Sequence, residues 1–375
     1  MNSSWVEISR SALKQNLRNF KKLVGASKLL PVIKSNAYGH GLEQIVDIIK
    51  TQSVWGVAVA ATSEALMVRK YGYKKPVLVL SYTDTDVKEI INKDIRLAVY
   101  SLSFVKALNS RAVKLNKIVK VHLNYDSGGT RLGLTDQLFI ELVKEVKNLK
   151  NIKIEGVFSW LADSEEINSQ LTNLQLKRFN IIKSQVHNLI GKQVIFHITC
   201  TASNINYAES YHELARVGIG LYGLWPSVKT KVQSEIINKW FSIKPVLSWY
   251  TKIIQIKTVP ARTSVSYGRT YTTKRRTKIA VLPIGYWEGY DRGLSNKAKV
   301  IINGKPCPVR GKICMNLTMV DISNIKNVKV GDKVILIGKK GKAEVTADEL
   351  AEACGTINYE IVTRINPTIK RITVK

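Results

Sequence analysis

No two of the four cysteines (Cys200, Cys307, Cys314 and Cys354) stand in a Cys-x-x-Cys pair. That spacing argues against a zinc site and for free thiols in a reducing cytoplasm, so no metal is expected. No apolar run reaches the roughly 18–20 residues of a membrane-spanning helix, so no membrane association is expected either. The start, Met1-Asn-Ser-Ser-Trp5, lacks a basic stretch followed by an apolar one, which excludes a secretory signal and predicts a cytoplasmic protein. Acidic residues are few: 28 Asp and Glu face 58 Lys and Arg, giving a formal charge of +30.

Such a charge attracts phosphates in general, and nucleic acid is the first partner to weigh. The lysines, however, are spread along the chain. Only Lys274-Arg-Arg-Thr-Lys278 and Lys339-Lys-Gly-Lys342 are dense, and no aromatics are interleaved with them. Nucleic acid is therefore not expected as a partner, and the excess of Lys, Asn and Ile reads as compositional bias. The 375 residues, 45% of them hydrophobic, suffice for two domains and a large core.

The order of elements gives the fold class. A short strand at 5–8 precedes a helix from Ser11 to Gly25. Buried-strand patterns then recur at 29–34, 55–61, 76–81, 96–101, 120–126, 154–160, 193–200 and 214–219. Helical patterns lie between most of them, at 63–71, 84–92, 137–149 and 171–189. Eight strands alternating with helices predict an α/β fold with an N-terminal (β/α)8 TIM-type barrel. After Leu224-Trp-Pro226 the helical period stops. Partial alternation over 246–259, apolar runs at 279–284, 318–321 and 332–338, and a hairpin turn at Asn303-Gly304 predict a C-terminal all-β domain with a single helix at 347–353. The expected domains are 1–234 and 235–375.

In a barrel, chemistry sits at the C-terminal ends of the strands. The apolar run Leu29–Ile33 ends there in Lys34, followed by Ser-Asn-Ala-Tyr38-Gly-His40-Gly41. A lysine at a strand end usually snorkels to solvent. Here other polar residues converge on the same rim: Arg131, Trp160, Thr201, and Arg216 with Gly218-Ile219-Gly220. A desolvated amine can attack a carbonyl, and glycines beside the last strand expose N–H groups to a phosphate. A carbonyl-attacking lysine beside a phosphate cradle implies pyridoxal phosphate.

These residues also carry a family resemblance. Val32-Ile-Lys34-Ser-Asn-Ala-Tyr38-Gly-His-Gly41, Thr130-Arg131-Leu-Gly133, Ala215-Arg216-Val-Gly218-Ile219-Gly-Leu-Tyr-Gly223, Val265-Ser-Tyr267-Gly-Arg-Thr-Tyr271, Pro283-Ile-Gly-Tyr286-Trp-Glu-Gly289 and Cys314-Met315-Asn316 resemble the alanine racemases. The resemblance spans nearly the whole chain. It implies a β domain that takes in the first strand (about residues 1–10), and a head-to-tail homodimer with shared active sites. It implies pyridoxal phosphate carried by Lys34, with Lys34 and the partner copy's Tyr267 as the two catalytic bases. Two groups on opposite faces are what moving a proton across a planar carbanion requires. The resemblance further assigns Tyr38, Thr201, Gly218 and Ile219 to the phosphate, Arg216 to the pyridine nitrogen, Trp160 to the ring face, and Arg131 and Met315 to the carboxylate of a small amino-acid substrate. Tyr286, Arg292 and Lys312 fall at the entry channel. The product D-alanine would feed peptidoglycan.

Several positions depart from the family pattern. Asn124 replaces a lysine that becomes carbamylated, leaving Arg131 to be held by the amide or by an anion such as chloride. Trp160 replaces a histidine, and Asn316 an aspartate. Pro367 replaces a tyrosine that narrows the pocket, which opens the alternative of a serine or broad-specificity racemase. A pyridoxal phosphate decarboxylase of a basic amino acid is a remoter alternative, since it needs no base on the second face. A non-catalytic cofactor-binding protein is another, although such barrels lack a β domain.

Overall fold

The computed structural model describes residues 3–375, so Met1 and Asn2 of the expected first strand lie outside the described residues. The chain divides into two compact units. One comprises Ala12–Ala37 and Ile45–Lys244, the other Met1–Ser11, Tyr38–Gln44 and Pro245–Lys375. The first strand, β1 (Ser4–Ser9), belongs to the second of these.

The larger unit holds the eight expected parallel strands: β2 (Lys28–Pro31), β3 (Val57–Ala61), β4 (Val77–Tyr82), β5 (Ile95–Val99), β6 (Val119–Asn124), β7 (Ile152–Phe158), β8 (Ile195–His197) and β9 (Leu214–Val217). Strands β3 to β8 pair in chain order as one sheet, and β2 pairs with β9. The Ile33 N–H donates to the Ala58 carbonyl at 2.8 Å, and Val32 bridges Ala58, which joins β2 to β3. At the other edge β8 lies beside β9, where the Arg216 N–H donates to Thr199 Oγ1 at 2.8 Å. The strands thus follow one another round a (β/α)8 barrel. Strands such as β5 and β9 are buried at every residue, as parallel strands covered on both faces must be. The flanking helices turn one apolar stripe inward, such as Phe139, Leu142, Val143 and Val146 of Asp136–Val146.

The smaller unit is mostly antiparallel. Its remaining strands are β10 (Leu247–Lys252), β11 (Gln255–Val259), β12 (Ser264–Val265), β13 (Tyr271–Thr272), β14 (Thr277–Leu282), β15 (Lys299–Ile302), β16 (Lys305–Pro308), β17 (Thr318–Asp321), β18 (Lys333–Lys340), β19 (Ala343–Val345) and β20 (Lys370–Val374). One sheet has the order β16-β15-β18-β10-β1-β20, with β19 on β18. A second is β11-β14-β17, and β12 pairs with β13. The alternation expected to run from 246 to 259 breaks at Ile253-Ile254. Its two halves go to different sheets, a division that depends on pairing partners distant in sequence. The single helix expected near 347–353 is corrected to two, Ala347–Cys354 and Asn358–Thr363, because Gly355 takes a left-handed φ of +69° and turns the chain between them.

Candidate active site

Within the barrel unit, Lys34 follows directly on the first barrel strand. It opens a turn unlike any that the sequence pattern suggests. Ser35, Asn36, Ala37 and Tyr38 all have φ between +52° and +55°, a left-handed helical turn of four non-glycine residues. Such geometry costs roughly 1–2 kcal/mol per residue and persists only where surrounding contacts impose it. One of those contacts is Glu64, whose carboxylate accepts the Ser35 N–H and, at 2.8 Å, the Ala60 N–H. Burial lowers the Lys34 amine pKa, the Arg131 and Arg216 charges lower it further, and Glu64 opposes them. The net direction is toward a neutral, nucleophilic amine.

Arg216 on β9 is buried and surrounded by acceptors. Its guanidinium donates to His197 Nδ1 at 2.7 Å, and to the carbonyls of Ser159 at 2.6 Å and Ile198 at 3.1 Å. From it a polar relay crosses the barrel interior. His197 Nε2 is 2.9 Å from His122 Nδ1, His122 Nε2 is 3.3 Å from Glu155, and Glu155 accepts from Arg96 at 3.1 Å. Arginine can only donate. His197 Nδ1 must therefore accept, its Nε2–H donates to His122 Nδ1, and His122 Nε2–H donates to Glu155. Burial keeps both imidazoles neutral by lowering their pKa values. Burial alone would raise the Glu155 carboxyl, but hydrogen bonds from His122 and Arg96 outweigh it and hold the group near about 2. The barrel thus fixes a guanidinium at the end of a chain of donors that all point toward one carboxylate.

Thr201 Oγ1 accepts the N–H of Gly218 at 3.1 Å and of Gly220 at 3.2 Å. A Cβ at Gly220 would lie 2.5 Å from the Thr201 methyl and 2.6 Å from Phe20, so this close approach admits only glycine. Just after β6, Asp126 accepts three successive N–H groups, from Gly128, Gly129 and Thr130, and shapes the loop that presents Arg131. The Arg131 guanidinium lies over the Trp160 ring, 3.8 Å from its centroid. Of the two expected holders of Arg131, the Asn124 amide or an anion such as chloride, the amide is not one: its Oδ1 is buried without a partner, and Arg131 rests on the indole.

The second unit carries the other expected residues. Tyr38 is buried against Tyr359, with ring centroids 6.2 Å apart. A Cβ at Gly39 would fall 1.9 Å from the Val362 carbonyl oxygen. Arg371 donates to the carbonyls of Gly39, Ile365, Asn366 and Ile369, clamping the turn that carries the exposed Pro367. Tyr267 is 74% exposed, just after Ser266 at φ +65°, and Ser266 Oγ donates to the Lys312 carbonyl. Exposed Met315 and Trp287 are neighbours, with the Trp287 N–H donating to the Met315 carbonyl at 3.0 Å. Asn316 donates to Glu288 at 2.8 Å. Arg292 is exposed on a short helical turn.

Comparison with known proteins decides the family. The family profile described as "Alanine racemase, N-terminal domain" matches residues 8–226, and "Alanine racemase, C-terminal domain" matches 246–373. The chain belongs to the alanine racemase family. It is 37% identical to the alanine racemase of Clostridium novyi over 99% of this chain and 95% of that protein. It is also 37% identical to that of Methanococcus maripaludis, over 98% of both. Among solved structures, the alanine racemase of Clostridium difficile 630 superposes with a TM-score of 0.92 at 33% identity, covering 100% of this chain and 96% of that one. That of Bacillus anthracis with bound L-Ala-P gives 0.89 at 30%, covering 100% and 96%. The chain is accordingly an isomerase of a pyridoxal phosphate-dependent family. Among the described residues no helix is long and apolar enough to cross a membrane.

Sequence reasoning passed over Glu64, His122, Glu155, His197 and Arg96. A usable signal was present: each strand from β5 to β9 is apolar except for one to three polar residues, which within each strand recur at alternate positions.

Proposed function

We propose that this chain interconverts L- and D-alanine by removing the α-proton on one face and returning it on the other. Lys34 Nζ serves one face and Tyr267 Oη of a second copy serves the other. The observation that carries the reading is the Lys34 amine at a strand end, with its pKa pulled down by burial and two flanking guanidinium groups. The residues fit pyridoxal phosphate: an amine to carry it, the Thr201 hydroxyl with the Gly218 and Ile219 backbone beside a glycine that admits no side chain, and a buried arginine. When bound, this group supplies the electron sink for the α-carbon.

The rest follows from the chain's own groups. Lys34 would carry the group through its amine, and its free amine would take or return the α-proton on one face. Arg216 keeps its protons and, held by the relay, presents a donor to the ring nitrogen that it cannot protonate, which weakens the sink and limits side reactions. Thr201, Gly218, Ile219 and Tyr38 hold the phosphate, and Trp160 lines the ring face. Arg131 and the Met315 backbone of the second copy orient the substrate carboxylate. Tyr267 is open on its own unit, as a residue completing a neighbour's pocket must be. The unit of function is a homodimer in the cytoplasm, and its D-alanine supplies peptidoglycan.

A second reading concerns substrate choice. Pro367 has neither the hydroxyl nor the planar ring of the tyrosine it replaces, so on this reading the pocket is wider and admits serine or larger side chains. Incubating the purified enzyme with alanine, serine and lysine in deuterated water, and reading chirality and α-deuterium, tests both readings. Alanine racemising fastest supports the first, and serine at equal or higher rate supports the second. Carbon dioxide release without exchange would overturn both. Lys34→Ala is expected to abolish racemisation together with the visible absorbance of the bound cofactor.

A further inference from the structure

The stack of Arg131 on Trp160 joins two departures from the family pattern, Asn124 and Trp160. Arg131 has no carboxylate at bonding distance among the ion pairs of the described residues, and Asn124 Oδ1, in a residue 2% exposed, has no partner. What faces the guanidinium is the indole, 3.8 Å from ring centroid to Cζ. The arrangement is built from both sides. Gln175, fully buried, donates to the Trp160 carbonyl and to Ser127 Oγ, both at 3.0 Å, and its Oε1 accepts the Ala162 N–H at 2.9 Å. One side chain therefore ties the indole's backbone to the start of the Arg131 loop, while Asp126 fixes the loop's next three N–H groups. Gly129 completes the fit: a Cβ there would lie 2.4 Å from the indole ring. Its φ is outside the left-handed region, so the indole, and not the backbone, is what demands glycine.

We propose that Trp160 is the positioning residue for Arg131. Through a cation–π shelf it holds the guanidinium flat at the angle that receives a substrate carboxylate, with Gly129 as the gap that seats the indole. The proposal rests on Arg131 being the carboxylate-binding residue. A planar guanidinium on an aromatic face keeps its in-plane N–H fork free for bidentate pairing, which a salt bridge to a neighbouring carboxylate would partly consume.

The test uses the holoenzyme at saturating cofactor, with cofactor affinity titrated separately. Trp160→Leu and Gly129→Ala should each raise the KM for alanine and the Ki of propionate by about three- to fivefold, the range for a partly exposed cation–π contact. Trp160→Phe should fall between them and the parent. Because both changes displace the same ring, Gly129→Ala should cost nothing further in the Trp160→Leu background. Independently of turnover, the Arg131 Hε resonance should carry a ring-current shift that Trp160→Leu and Gly129→Ala both remove. Additive penalties, an unmoved resonance, or unchanged KM and propionate binding would each overturn the proposal; should Trp160→Leu fail to fold, Trp160→Phe and Gly129→Ala still decide it. Arg131→Ala separates the two levels, since an unchanged KM there would refute the carboxylate role itself.

Discussion

Replacing Glu155 by glutamine isolates the carboxylate on which the interior relay ends. Glutamine keeps one oxygen to accept from His122 and Arg96, replaces the other with an amide NH2, and removes the charge. Folding shifts the Glu155 carboxyl from an ordinary 4.5 to about 2. At about 1.4 kcal/mol per unit, the ionised form contributes at most about 3 kcal/mol above the unfolded-state value. The group is depressed in the folded state, so this stability is fully present above pH 4.5 and is lost as pH falls toward 2. A barrel unit of this size loses roughly 2–4 °C in Tm per kcal/mol. Glu155→Gln should therefore melt lower at pH 7 by up to about 6–12 °C. The gap should stay constant down to pH 5 and narrow as pH drops below 4.5. Differential scanning calorimetry at pH 7, 5, 4 and 3.5 reads both features. Equal melting at pH 7, or a gap that persists unchanged at pH 3.5, would refute the account of the relay. The same chain of donors predicts Nε2-protonated tautomers for His122 and His197, readable from imidazole nitrogen shifts.

Three further outcomes are expected. Burial and the Lys183 charge lower His212 to about 4, and burial lowers His122 and His197 as well; the unfolded chain takes up these protons first, so stability should fall by about 1.4 kcal/mol per group per pH unit below 6.5, and a denaturation midpoint flat between pH 7 and 5 would contradict this. Gly39→Ala should destabilise the second unit by roughly 2–4 kcal/mol, because φ is +78° and the Cβ meets the Val362 carbonyl oxygen; urea unfolding measures it, and a loss under about 1 kcal/mol would be too small for such a clash. Cys307 is buried on β16 with its thiol pushed up to about 12 by burial; it should resist a thiol reagent in the native protein and react only on unfolding.

The parallel strands of the barrel were legible because each is buried on both faces and reads as a short apolar run between helical patterns. Their number and spacing leave few folds to choose from. Lys34, Arg131, Thr201 and Arg216 could be placed on one rim for the same reason: a strand's C-terminal end follows from where its apolar run stops. The β-rich unit was only partly legible. Pairing of β1 with β10 and β20 joins residues 239 or more positions apart, and the break at Ile253-Ile254 follows from which partner each half finds.

The sequence by itself determined the alternation of elements, the family motifs and the amine at the head of the rim, since these depend on local pattern and residue type. Only the tertiary structure decided three things. The left-handed turn after Lys34 is held by Glu64, from the helix Thr62–Lys70 that follows β3, against the local preference of four ordinary residues. The polar relay that ends on Arg216 collects one side chain from each of five strands, none remarkable in its own segment. The resting place of Arg131 is the Trp160 ring and not the Asn124 amide, because a glycine thirty-one residues before the indole leaves the gap in which it lies. Each of these is a contact between segments that the chain brings together only on folding, where burial and the limited number of acceptors settle which partner wins.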